Sequence, residues 1–173
     1  MTLKGHKYIK ATRDYLDYLE EHFNNIEKAF DEITKACGHF ASVADEAAWH
    51  SLKEEVQNHD LSKFSPEEFT QYRNRWHTTQ GELMNTEAWN KAWKHHYTNN
   101  THHAESIRNH QDYPGVTERD LLHMVIDWTA MSYKFGDSAE SYYNCNKHNI
   151  KLTTSQIKFL LEIFTAIKEY RES

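Results

Sequence analysis

Between Tyr15 and Ile33 the chain returns to an apolar side chain at helical intervals: Tyr15, Leu19, Ile26, Phe30 and Ile33. Steps of three and four match the 3.6-residue turn of an α-helix, so one long amphipathic helix is expected from about Lys7 to Ala36. Gly38 stands where a helix stop belongs. One member of the stripe is not apolar. His22 falls three after Leu19 and four before Ile26, and an inward imidazole needs a partner because an unpaired buried polar group is costly. A backbone carbonyl would be the ordinary partner.

The same period recurs along the chain. Ser42 with Asp45 reads as a capping box opening a second helix, whose stripe is Trp49, Leu52 and Val56. Continuing that stripe by three or four reaches His59 and Asp60. Ser65-Pro66-Glu67-Glu68 reads as a third start, with Phe69, Tyr72 and Trp76 on the core side. After Gly81, Asn85 or Thr86 caps a helix with Trp89, Ala92, Trp93 and His96 on one face. Asp112-Tyr113-Pro114-Gly115 is a turn signal. Thr117 with Asp120 then opens a greasy helix ending at Gly136, carrying Leu121, Met124, Val125, Trp128, Met131 and Phe135. A short helix within Ser138–Asn149 follows, and Thr153 with Gln156 caps a last one striped by Ile157, Leu160, Leu161, Phe164 and Ile167. Five Gly and two Pro are too few for the turns of an all-β chain. The expected fold is all-α: one helical-bundle domain over residues 1–173, with six or seven helices.

Charge and composition narrow the partners. Net charge is −6 with no long Lys/Arg block, so duplex nucleic acid is not an expected partner. No apolar run is long enough to span a bilayer, and the first residues lack the apolar segment of a secretory signal. Cys37 and Cys145 lie far apart and form no CxxC, which fits two reduced thiols and a cytoplasmic protein. The residues leave self-association into a homo-oligomer open.

The unusual feature is histidine, 13 in all, and where the inward ones fall. His22 sits in the first stripe. His59 and Asp60 stand side by side at a helix end, with Lys63 three residues on. His95-His96-Tyr97-Thr98-Asn99-Asn100-Thr101-His102-His103 holds four histidines in nine residues, and if the helix continues, His96, Asn100 and His103 share a side. Asp127 lies between Met124 and Met131 at spacings of three and four, a carboxylate on an apolar face that calls for a cation, donors or a metal. Imidazoles and carboxylates from four helices are expected to converge on a common ionic centre in the bundle. Mixed His and carboxylate donors suit Mn, Fe, Co or Zn better than Ca. Trp76, Trp89, Trp93 and Tyr97 could stack on a base, although aromatics at this spacing more often form core.

The order His … His-Asp … Asp resembles the HD-domain superfamily of metal-dependent phosphohydrolases over roughly His22 to Asp127. His59-Asp60-Leu61-Ser62-Lys63 resembles the His-Asp-x-Gly-Lys of its two-metal, HD-GYP-like branch, with Ser62 in place of Gly. HDLSKFSPEEF, HHYTNNTHH and LLHMVIDWTAM also resemble a family of uncharacterised small proteins of bacteria and their phages. The first resemblance implies that His22, His59, Asp60 and Asp127 hold one divalent metal. Asp60 would bridge to a second held by His96 with His102, His103 or both. It further implies hydrolysis of a phosphoester in a small phosphorylated compound such as a nucleotide, two ions polarising the phosphoryl oxygen and activating water. Asp60 and Lys63 would be catalytic, with Lys63, Lys94, Asn100 and Arg108 meeting the substrate. The short step from His96 to His102 and the lack of a Gly-Tyr-Pro motif depart from the cyclic-dinucleotide enzymes, so substrate class does not transfer. An HD-type di-iron oxygenase and a non-catalytic, metal-containing nucleotide-binding protein are the alternative readings.

Overall fold

The first stripe forms a single helix, α1, from Lys4 to Cys37, with Tyr15, Leu19, His22, Ile26 and Ile33 buried along it. A computed structural model of the chain describes residues 3–40, 46–78, 85–103 and 116–173. The expected cap at Ser42 and Asp45, the break at Gly81, Arg108 and the turn at 112–115 lie outside the described residues. The remaining helices are α2 (Glu46–Gln57), a 3-10 turn at Leu61–Phe64, α3 (Phe69–Trp76), α4 (Thr86–Asn99), α5 (Glu118–Phe135), α6 (Ala139–Asn146) and α7 (Thr154–Glu172). The described residues contain no strand, and the fold is all-α. None of their helices is long and apolar enough to cross a membrane.

Local chemistry sets most boundaries. Thr117 Oγ1 accepts the Asp120 N–H at 3.1 Å while Asp120 Oδ2 accepts the Thr117 N–H at 2.9 Å, the reciprocal box that opens α5. Gly136 ends it with φ of 75°, a left-handed residue that glycine adopts without a Cβ penalty. Thr153 and Gln156 form the same box at α7, and Asn85 Oδ1 caps α4 through the Ala88 N–H at 3.1 Å.

Gly38 follows the end of α1 at Cys37, as its place in the sequence indicates; it is not left-handed, and a Cβ there would stand 2.9 Å from the Thr34 carbonyl oxygen, so close approach explains the glycine. Three expectations fail. Ser65 is extended and its carbonyl accepts from Phe69 N at 3.0 Å, yet its side chain makes no box with Glu68, and α3 begins only at Phe69. The helix of His95 and His96 stops at Asn99, and Asn100 is extended, so His102 and His103 lie in the turn that follows. Trp76, Phe135 and Leu161 are exposed: each lies at the edge of a stripe whose neighbours fill the core.

The contacts group into two compact units: Met1–Phe23 with Asp60–Asn100, and Asn24–His59 with Thr101–Ser173. In the first, α3 and α4 pack on one another and on the 3-10 turn. Its core is small and aromatic, with Tyr15, Leu19 and Tyr72 buried and Tyr18, Phe23, Phe69, Trp89 and Trp93 against them. In the second, α5 packs on α2, α6 and α7. Its core is larger and mainly aliphatic, including Leu52, Leu121, Leu122, Val125, Ile126, Leu160 and Ile163. Each such side chain contributes about 1.5–3 kcal/mol of burial, so the second unit holds most of the hydrophobic stabilisation.

Candidate metal centre

Asp60 organises the polar interior of the first unit. After α2 the chain turns through Asn58 and His59, and Asp60 adopts φ of 57° and ψ of 15°, the one non-glycine with positive φ among the described residues. Asp is one of the few L-residues that tolerate this conformation, and strain of this kind clusters at functional sites. The Asp60 carbonyl then accepts the Lys63 N–H at 2.9 Å, starting the 3-10 turn.

That turn holds Lys63 close. Its Nζ lies 2.5 Å from Asp60 Oδ2, with both side chains buried. His22 Nε2 is 3.6 Å from the same oxygen, and His96 Nε2 is 3.3 Å from Oδ1. Two donors each about 2.1 Å from one transition-metal ion stand roughly 3–3.5 Å apart, so each imidazole is near the separation of a co-ligand from the Asp60 oxygen it faces, on opposite oxygens of the carboxylate.

Glu68 fixes the orientation of His96. It is fully buried, and its Oε2 lies 2.8 Å from His96 Nδ1 while Oε1 lies 2.6 Å from His95 Nδ1. Burial alone would push its carboxyl up; hydrogen bonds from His96, His95 and Ser62 outweigh that and hold it below the ordinary carboxylate range. A neutral His96 donates Nδ1–H to Glu68 and turns its Nε2 lone pair toward Asp60. Lone pair against carboxylate is repulsive until a proton or a cation stands between them, and a carboxylate behind the imidazole is the usual support of a metal-binding histidine. Asn100 is buried and donates to Ser62 Oγ at 2.8 Å and to the His96 carbonyl at 2.7 Å, closing the turn after α4.

The second unit carries a different donor set. His59 Nδ1 is 3.0 Å from His123 Nε2, and His59 Nε2 is 3.6 Å from Asp127 Oδ1. His102 stacks on His59 with centroids 4.3 Å apart and lies 4.5 Å from the ring of His123. One nitrogen from each of the three histidines can be chosen so that all lie within 4.8 Å of one another, and all three residues are buried. Three imidazoles beside a carboxylate are a borderline-to-hard set suited to Zn, Fe, Co or Mn. Asp127 is less enclosed than its apolar helix face suggested, with 15% of its side chain exposed. His103 is half-buried with its ring 4.3 Å from that of His102.

Of the expected residues, the first unit brings together His22, Asp60, Lys63, His96 and Asn100, and the second brings together His59, His102 and Asp127. Lys94 is exposed on α4, two positions from His96 and so on another side of the helix. Glu68 and His123 were missed. The Ser65–Glu68 spacing accounts for Glu68 as a cap, which hides its use by histidines from another helix. His123 was legible, since it stands four residues before Asp127 and therefore on its face.

None of the curated proteins and none of the solved structures matches the chain. One family model does, over residues 11–166, which includes every donor described above. The chain therefore belongs to DUF5662, a family of unknown function.

Proposed function

We propose that the protein is a metal-dependent phosphohydrolase that cleaves a phosphoester of a nucleotide or another small phosphorylated compound. The observation that supports this best is the surroundings of Asp60: an imidazole nitrogen within 3.6 Å of each carboxylate oxygen, one of those imidazoles backed by Glu68, and a buried ammonium alongside. In the first unit Asp60 would be the carboxylate ligand of a divalent cation, with His22 at its Oδ2 or His96 at its Oδ1 as the imidazole donor. His59, His102 and His123, with Asp127, would hold one in the second. A bound divalent ion supplies positive charge to phosphoryl oxygens and lowers the pKa of water.

The chain's own residues do the rest. Glu68 keeps the Nδ1 proton of His96 in place and so keeps Nε2 available as a ligand. Lys63 pairs with Asp60, and with a cation bound at that carboxylate its ammonium would offset charge on an anionic substrate. A buried lysine next to a ligand carboxylate favours an anionic substrate over the neutral or apolar substrate of an oxygenase. The His … His-Asp … Asp order, with its HD-type resemblance, supports the same chemistry.

The test uses full-length protein stripped of metal and reloaded separately with Mn²⁺, Fe²⁺, Co²⁺ and Zn²⁺. Phosphate release is then followed on nucleoside mono-, di- and triphosphates, cyclic dinucleotides and p-nitrophenyl phosphate. The expected result is metal-dependent release that a chelator abolishes. Iron-specific O₂ consumption without phosphate release would replace the proposal with an oxygenase, and tight nucleotide binding without turnover would replace it with a binding protein.

A further inference from the structure

Two phenols in the first unit carry hydroxyls that packing does not require. Tyr15 on α1 and Tyr72 on α3 are both more than nine-tenths buried, and neither hydroxyl oxygen has a hydrogen-bond partner among the described residues. A phenylalanine would fill either volume without the cost of a buried, unsatisfied O–H. Both rings belong to the core that also contains Leu19. Lys63 Nζ lies 5.5 Å from the centre of the Tyr72 ring, which is 5.3 Å from the ring of His96.

The electrostatics of the two phenols agree. Burial pushes both far above the ordinary tyrosine range. The Lys63 ammonium opposes this at Tyr15, while the Asp60 and Glu68 carboxylates reinforce it at both. An ordinary phenol is already protonated at neutral pH, so each hydroxyl can donate. Asp60 and Glu68 bring two negative charges to this interior and Lys63 one positive. A divalent cation leaves that group with one net positive charge, which an anion matches. Two hydroxyl donors and an ammonium complement a ligand group that only accepts hydrogen bonds, as the oxygens of a phosphate monoester do.

We infer that the hydroxyls of Tyr15 and Tyr72, together with the Lys63 ammonium, form an oxyanion subsite that receives the phosphoryl group of the substrate. This rests on the phosphohydrolase reading and adds to it the residues that recognise the phosphoryl oxygens. It also explains why tyrosine stands where phenylalanine would pack as well.

The experiment measures inorganic phosphate binding by calorimetry to Mn²⁺-loaded full-length protein: wild type, Tyr15→Phe, Tyr72→Phe and, as a control, the exposed Tyr170→Phe. Each interior variant should weaken phosphate about tenfold, the equivalent of one hydrogen bond to a charged group. Mn²⁺ affinity should change less than about twofold, Tyr170→Phe should match wild type, and the metal-free Tm of each interior variant should equal or exceed that of wild type. If wild type binds phosphate and both interior variants bind it equally well, the subsite is wrong while the phosphohydrolase reading stands. If both variants lose several degrees of Tm without phosphate, the hydroxyls serve the fold and the subsite is likewise wrong. If wild type neither binds phosphate nor releases it from any phosphoester in the panel, the parent reading fails and takes the subsite with it.

Discussion

The unit around Asp60 and the unit around His59 follow the same helical period but fill their interiors in opposite ways. In the first, the buried apolar cluster is Tyr15, Leu19 and Tyr72, and the interior also holds buried His22, Asp60, Lys63, Glu68, His96 and Asn100. In the second, a continuous aliphatic core runs through α2, α5 and α7, with His59, His102 and His123 as its buried imidazoles. Buried polar groups stabilise only when each is satisfied, whereas apolar burial contributes regardless of ligand. The difference makes the first unit the more ligand-dependent of the two and gives the second, despite its own donor set, the larger intrinsic stability.

Asp60→Asn is the strongest way to break this contrast. Asn tolerates the left-handed backbone that alanine would strain, so the loss is one of charge and not of conformation. Lys63 loses its carboxylate, and His22 and His96 lose the anion they share. Phosphoester turnover should fall by at least about a thousandfold, roughly 4 kcal/mol of barrier. Divalent binding measured by calorimetry should weaken in parallel. Undiminished turnover in the variant would remove Asp60 from the centre.

Leu160→Ala tests the other half. Leu160 is fully buried in the aliphatic core of the second unit, and truncation there should cost about 2–5 kcal/mol in chemical denaturation. Metal affinity of the folded variant should stay at the wild-type value. A large loss of metal binding without a loss of stability would reverse the roles assigned to the two interiors.

Glu68→Gln sharpens the comparison within the first unit. The carboxylate accepts from both His95 and His96, at 2.6 Å and 2.8 Å. A Gln carbonyl can accept one of them while its NH₂ confronts the other, so His96 loses its fixed orientation. Metal affinity should fall about 10–100-fold, the usual effect of removing the partner behind a ligating histidine. Unchanged affinity would show that Glu68 supports packing alone.

The contrast between the units also explains what was legible in the chain. Two helix starts came through from a local rule: Thr117 with Asp120 and Thr153 with Gln156 each satisfy the backbone within one turn. The apolar period placed His22, Asp60 and His96 inside because it counts positions without regard to polarity. Glu68 was hidden because Ser-Pro-Glu-Glu matches the capping pattern, although no such box forms and the carboxylate turns instead to His95 and His96. His123 was passed over because its neighbours Leu121, Leu122, Met124 and Val125 make the segment read as core. Leu161 was placed inward because it falls four after Ile157 and three before Phe164, yet it lies about 100° from Leu160, which takes the interior side, and is itself exposed.

The smallest effect belongs to a charge cluster at the edge of the second unit. Glu32 on α1 accepts from Arg171 on α7 and from the Tyr133 hydroxyl on α5. Burial alone would raise the Glu32 carboxyl, but the hydrogen bonds from Arg171 and Tyr133 outweigh it and hold the group below its ordinary value of 4.5. A carboxyl whose pKa is depressed on folding binds fewer protons in the native state than in the unfolded chain. Its stabilisation is therefore fully present above the unfolded pKa and is lost as pH falls through the folded one. Arg171 is 40% exposed, so solvent screening limits the pair to about 0.5–1 kcal/mol. Glu32→Gln should thus be slightly less stable than wild type in urea at pH 7, and the gap should close as the pH is lowered from about 5 toward 3. A gap that persists unchanged at pH 3 would show that Glu32 acts through shape and neutral hydrogen bonding, and the second unit would then owe its stability to its apolar core without help from this pair.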